Sequence, residues 1–243
     1  MRTDGKSTRL HERIKLKIPL QVQYFEDAGK VWTENTETEL ITICGLGFTL
    51  SRPVEPKRMI RLILPMPKKF RLFGFGKEQY DVWGIVSNLQ LAASDRPDKI
   101  RLLIGTALTG AEPPPGFREN PKTLYDLKPF LRDKHFWEAR ELPRKTGRYM
   151  RSAEERRAVE IKILIEVVDE KGQIIESIQA KTLNISESGA AITAKLMTEN
   201  PKYVLINTTQ KLSLLALVRG VHPTGSADSL RLHLEYISGK WTF

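Results

Sequence analysis

Hydrophobic positions along the chain alternate with polar ones, or gather in short runs rich in β-branched and aromatic residues. Leu20-Gln21-Val22 and Ile163-Leu164-Ile165-Glu166-Val167 are two examples. Such patterns predict strands. In the first half they cover residues 14–24, 36–43, 47–50, 59–64, 80–89 and 99–108; in the second, residues 159–169, 174–184, 190–194, 210–219 and 231–237. One stretch reads differently. Asn120-Pro121 offers an N-cap followed by proline at the first helical position. Leu124, Leu127 and Leu131 then share one helical face, which predicts a connecting helix over residues 121–139 that packs on a barrel.

The two halves share a layout. Lys17-Ile18-Pro19-Leu20-Gln21-Val22 corresponds to Lys162-Ile163-Leu164-Ile165-Glu166-Val167, and ITICGLGFTL (41–50) sits where LNISESGAAI (183–192) sits. A diverged tandem duplication with a period of roughly 145 residues, on the scale of whole domains, accounts for this. Many short strands with turn signals between them argue for an all-β protein of two small antiparallel barrels. The expected domains are residues 1–118, a helix and basic linker over 119–147, and residues 148–243.

Composition bounds the function. Lysine and arginine total 39 against 29 acidic residues, a formal charge of +10, which favours an anionic partner. No apolar run is long enough to span a membrane, and the N-terminal stretch has no secretory h-region. A single cysteine, Cys44, excludes an internal disulfide and a cysteine zinc cluster, so a reducing cytoplasmic location is expected. His11, His135, His222 and His233 are scattered, with no metal-ligand spacing on one element, so no metal is expected. Nucleophile elbows, phosphate loops and paired carboxylates are also missing, which points away from an enzyme.

Two features carry chemistry. One is the turn Asn184-Ile185-Ser186-Glu187-Ser188-Gly189; the other is the run RELPRKTGRYMRSAEERR, with Arg140, Arg144, Lys145, Arg148, Arg151, Arg156 and Arg157, just before the strand at 159–169. Taken alone, the turn is a tight bend of residues that favour bends, and the run is a solvated linker. Their order, arginines, strand, hairpin, strand, turn, resembles the PilZ domain, the bacterial receptor family for cyclic di-GMP. That family pairs Arg-x-x-x-Arg before the first strand with Asp/Asn-x-Ser-x-x-Gly after the second. The resemblance implies six-stranded antiparallel barrels that bind the dinucleotide on an outer surface. Guanidinium forks suit phosphate oxygens and guanine edges; Asn and Ser bond base or phosphate; Gly lets backbone approach closely.

Each half departs from the family pattern. Arg9-Leu10-His11-Glu12-Arg13 is a clean arginine motif, but its turn reads Thr42-Ile43-Cys44-Gly45-Leu46-Gly47, with only Gly47 matching. The second half has a complete turn, yet Arg151 and Arg156 are separated by four residues rather than three. The residues expected to bind ligand are Arg151, Arg156, Arg157, Asn184, Ser186 and Gly189, with Arg9, Arg13 and Gly47 as a second, degenerate site. Three alternatives stand: the second domain binds with an irregular arginine loop; the halves share a ligand through Arg9 and Arg13; or the barrels serve protein contacts without ligand.

The expected function is a cyclic di-GMP-binding signalling effector whose interdomain arrangement or partner binding changes on ligand binding. Its polar, self-repelling linker is expected to be mobile until ligand phosphates neutralise it. The protein partner, from motility, exopolysaccharide or transcription machinery, is not identified. The alternatives are a ligand-independent protein-interaction scaffold and a basic nucleic-acid binder. The latter would use the interleaved Lys68-Lys69-Phe70-Arg71-Leu72-Phe73-Gly74-Phe75-Gly76-Lys77, otherwise a mobile hairpin loop or docking surface.

Overall fold

Alternation in sequence becomes alternation in burial. In strand β1 (Pro19–Asp27) Leu20, Val22 and Tyr24 are buried, while Gln21 and Gln23 are half-exposed. The computed structural model describes residues 12–27, 29–128, 136–143, 155–209, 211–225 and 229–242. β1 joins β2 (Lys30–Thr42), β3 (Gly45–Leu50), β4 (Met59–Leu64), β5 (Tyr80–Leu91) and β6 (Leu102–Gly110) in a closed barrel of order β1-β2-β3-β6-β5-β4. Closure leaves no unpaired strand edge.

The second half repeats this arrangement. After β7 (Tyr125–Lys128) and β8 (Glu138–Glu141) come β9 (Lys162–Val168), β10 (Ile174–Ile185), β11 (Gly189–Ala194), β12 (Tyr203–Asn207), β13 (Ser213–Pro223) and β14 (Leu230–Tyr236). They close in the order β10-β11-β14-β13-β12-β9, which is the same permutation. Inward residues Ile163, Ile165, Val167, Ile185, Ile192 and Leu232 belong to its core. The protein is therefore all-β with two six-stranded antiparallel barrels. By its contacts the chain divides into two compact units: Met1–Phe48, Lys57–Ser87 and Gly105–Leu142; and Thr49–Pro56, Asn88–Ile104 and Pro143–Phe243. Among the described residues no helix is long and apolar enough to cross a membrane.

Two expectations change. The connecting helix over residues 121–139 is not formed: its described ends are β7 and β8, paired antiparallel from Tyr125↔Glu141 to Lys128↔Glu138. Tyr125 is buried and Leu127 half-buried, whereas Asp126 and Lys128 are exposed. That is period two, and Tyr125 packs with Met59, Trp83, Ile85 and Phe117. Asn120 and Thr123 close a turn instead of a cap, Asn120 Nδ2 donating to Thr123 Oγ1 at 2.8 Å. Leu131 lies outside the described residues, and Arg140, assigned to the linker, belongs to β8. The second change is β12, which the sequence pattern missed. Tyr203-Val204-Leu205-Ile206-Asn207 is a short continuous apolar run, and period alone cannot classify such a run.

The basic and aromatic loop between β4 and β5 is organised around a cation. Arg71 is 7% exposed. Its guanidinium donates to the carbonyls of Met66, Gly74, Lys77 and Glu78. Fixed backbone acceptors at four points hold a loop built in place, in contrast to the free hairpin expected from composition.

Candidate ligand site on the second barrel

The turn after β10 is shaped by a threonine upstream of it. Thr182 is 1% exposed and lies beside a bulge in the β10–β11 pairing. Its hydroxyl accepts from the Ile161 N–H at 2.8 Å and donates to the Val159 carbonyl at 2.5 Å. The Thr182 N–H donates to the Ile161 carbonyl at 3.0 Å. This ties the chain preceding β9 along β10. Further back, Arg157 and Ile185 exchange both backbone hydrogen bonds at 2.9 Å. The arginine segment is thus anchored beside the Asn184–Gly189 turn by main chain, independent of any arginine side chain.

Register then decides which groups share a face, and it sets Arg156 and Asn184 diagonally on either side of the Arg157–Ile185 pair. Directly paired residues share a face. Arg157 lies on the side of Ile185, a core residue, and its side chain is half-exposed beside Glu155, at 3.9 Å. Arg156 and Asn184, one position back on each strand, share the outer face. Asn184 pairs with Ala191, and Ala191 with His233, so these three form a row across β10, β11 and β14. Among the described residues the Asn184 side chain makes no hydrogen bond, and it is half-exposed.

Ser186 and Gly189 have other work in this geometry. Ser186 is 4% exposed and its hydroxyl donates to the Gly189 carbonyl at 3.3 Å, inside the turn. A Cβ on Gly189 would stand 2.3 Å from the Leu234 carbonyl oxygen. The glycine therefore lets β14 cross close by. Its φ is not in the left-handed region. Arg151 lies outside the described residues.

The first barrel repeats the scaffold with a shifted correspondence. Thr38 takes the place of Thr182: its hydroxyl accepts from the Ile18 N–H at 3.0 Å and donates to the Leu16 carbonyl at 2.5 Å. Ile14 pairs with Ile41 as Arg157 pairs with Ile185. Thr42 Oγ1 donates to the Gly45 carbonyl at 3.1 Å, as Ser186 does to Gly189. A Cβ on Gly45 would be 2.6 Å from the Thr106 carbonyl oxygen. The counterpart of Gly189 is therefore Gly45, not Gly47, which stands opposite Leu40. The counterpart of Asn184 is Leu40, and that of Ser186 is Thr42. Strand pairing sets this register, and aligning the two turns on Gly47 and Gly189 misplaces it by two residues. Arg13 corresponds to Arg156 and is exposed; Arg9 lies outside the described residues. The first barrel thus has the arginine and the turn hydroxyl but an apolar side chain in place of the amide.

Residues that the sequence did not single out complete the outer face. His233 and His222 approach with ring centroids 5.2 Å apart. His222 pairs directly with Arg231, and Gly220 with His233. The His233 pKa is held below the ordinary histidine value, first by burial, then by the charges of His222, Arg231 and Arg156. The available signal was hairpin arithmetic: once β13 and β14 pair with His222 opposite Arg231, His222 and His233 become diagonal neighbours.

The sequence matches no protein-family model and no curated protein. Among solved structures, the chain is similar to the Bacillus subtilis inhibitor of motility (MotI/DgrA), with 14% identity, covering 93% of this chain and 90% of that one at a TM-score of 0.29. It is similar to the Borreliella burgdorferi PlzA protein in complex with c-di-GMP, with 8% identity, 93% and 86% coverage and a TM-score of 0.30. A third is YcgR in complex with c-di-GMP from Escherichia coli, with 11% identity, 90% and 76% coverage and a TM-score of 0.26. Likeness of this degree assigns no residue a role, and the candidate site stands on its own contacts.

Proposed function

We propose that the protein is a cyclic di-GMP-binding signalling effector whose ligand site lies on the outer face of the second barrel. The observation that carries this is the backbone pairing of Arg157 with Ile185, which sets Arg156 and Asn184 on one face. A guanidinium there offers a fork to a phosphodiester or a guanine edge, and the amide can both donate to and accept from a base. Arg157 and Arg151 are the further arginines proposed to reach the ligand from the rim, and Ser186 and Gly189 hold the turn. The first barrel, with Leu40 where the amide would be, is proposed to contribute fold and surface rather than a second site. Neutralising the arginines that lead into β9 would favour one arrangement of the chain over another, by the ligand's differential affinity for the two. A partner protein would read that change.

Calorimetric titration of the intact chain with cyclic di-GMP tests the proposal. Binding is expected for the wild type, to be lost in Arg156→Ala and Asn184→Ala, and kept in Arg13→Ala. Absence of heat at high ligand concentration would remove the ligand and leave the scaffold as the function. Binding to DNA or RNA that falls steeply with salt and ignores Asn184 would instead support the nucleic-acid alternative.

A further inference from the structure

The outer face of the second barrel carries more positive and titratable chemistry than the arginine segment and the turn account for. Across β10, β11, β14 and β13 runs the row Asn184, Ala191, His233 and Gly220. Small residues, Ala191 and Gly220, flank His233, whose ring is half-buried against His222. A Cβ on Gly220 would lie 3.1 Å from His222 Nε2 and 3.8 Å from His233 Cδ2, so a side chain there would crowd the His222 ring. Arg231 stands opposite His222, and Arg156 acts on His233 from the segment before β9.

Positive or protonatable groups therefore face His233 from three elements: Arg156 from the segment before β9, the His222 imidazole from β13, and Arg231 from its own strand, β14. The acid nearest along β14 is Glu235, which accepts from Arg219 Nε at 2.6 Å. Farther along the face Lys181 is engaged with Glu160 at 2.8 Å. A group of cations with its neighbouring acids already paired is repulsive within itself, and an anion on it relieves that repulsion.

Resting on the ligand site proposed above, we infer that His233, with His222 and Arg231, extends that site and makes binding of the cyclic dinucleotide proton-coupled. A phosphodiester keeps its negative charge throughout the histidine range. Placed beside His233 it stabilises the imidazolium form, so the histidine takes up a proton as ligand binds. The sign follows: the free protein holds His233 largely neutral near pH 7, the complex favours its charged form, and affinity rises as pH falls.

The test is a calorimetric titration of the full chain with cyclic di-GMP at pH 5.5 and pH 8.0, at matched ionic strength, in pairs of buffers with different ionisation enthalpies. Binding is expected to be about threefold or more tighter at pH 5.5, with net proton uptake near neutrality. In His233→Gln the affinities at the two pH values should converge and the proton uptake should vanish. The imidazole resonances of wild-type His233, followed by NMR against pH with and without cyclic di-GMP, give a readout that does not depend on a variant folding; the titration midpoint should move up with ligand. Binding that ignores pH, or pH dependence retained in His233→Gln, or an unmoved midpoint, overturns the role of the histidine and leaves the ligand site standing. No binding at either pH removes the ligand site and this inference together.

Discussion

Thr182→Val separates the scaffold of the site from its chemistry. The substitution nearly keeps shape, so it leaves little cavity, but it deletes the acceptor of the Ile161 N–H, 2.8 Å away, and the donor to the Val159 carbonyl, 2.5 Å away. Thr182 is 1% exposed and Ile161 half-buried, whereas Val159 is exposed, so water can replace the bond to its carbonyl and the Ile161 N–H is the group left short. Each such bond contributes about 0.5–1.5 kcal/mol net, and a buried group left unpaired costs about 1–3 kcal/mol. A loss of about 2 kcal/mol is expected for the second barrel, which accelerates exchange by about 30-fold for amides that exchange through opening of that barrel. Native-state hydrogen exchange at the Thr182 and Ile185 amides measures it. Cyclic di-GMP should also bind more weakly, because the segment carrying Arg156 loses a tether next to its pairing with Ile185. Thr38→Val is the matched control: similar bonds are lost in the first barrel, with ligand affinity unchanged. Exchange at Thr182 and Ile185 within about threefold of wild type would show that the threonine does not hold the segment, and the account of how the arginines are positioned would fail.

Two other outcomes follow from the scaffold. Gly189→Ala and Gly45→Ala place a Cβ 2.3 Å and 2.6 Å from a backbone carbonyl oxygen of the neighbouring strand; each should destabilise its own barrel by about 1–3 kcal/mol in urea unfolding, whereas Gly76→Ala, with open space around it, should not. Burial raises the Glu176 pKa, but bonds from the Met197 N–H and from the Thr198 hydroxyl and N–H more than offset this and hold it below the ordinary glutamate value; the stability it contributes is present above about pH 4.5 and is lost as pH falls through the folded value, so Glu176→Gln should lower the urea midpoint at pH 7 and narrow the difference from wild type at pH 3.

Much of this protein was legible in sequence for a physical reason. A barrel strand must bury one face, so Leu20, Val22 and Tyr24 in β1 and Ile163, Ile165 and Val167 in β9 announce themselves by period two. The duplication was legible because both halves bury the same positions. The turn motif and the arginines before β9 stood out as residue types with few reasons to be together. Local pattern failed where the deciding contact was distant. Leu127 fits a helix by spacing with Leu124 and Leu131, and only the packing of Tyr125 with Met59, Trp83 and Phe117 turned that stretch into a strand. The equivalence of Leu40 with Asn184 depended on strand pairing that letters do not display. His222 and His233 became neighbours only when β13 paired with β14.

What the chain determined alone is its composition of faces: which residues of the alternating strands go inward, and that a surplus of cations meets a bent turn in the second half. The tertiary structure decided which outward residues stand side by side. Outward positions feel no pressure from the core, so nothing local fixes their neighbours. Those are set by register between strands far apart in sequence, and register is a property of the closed barrel.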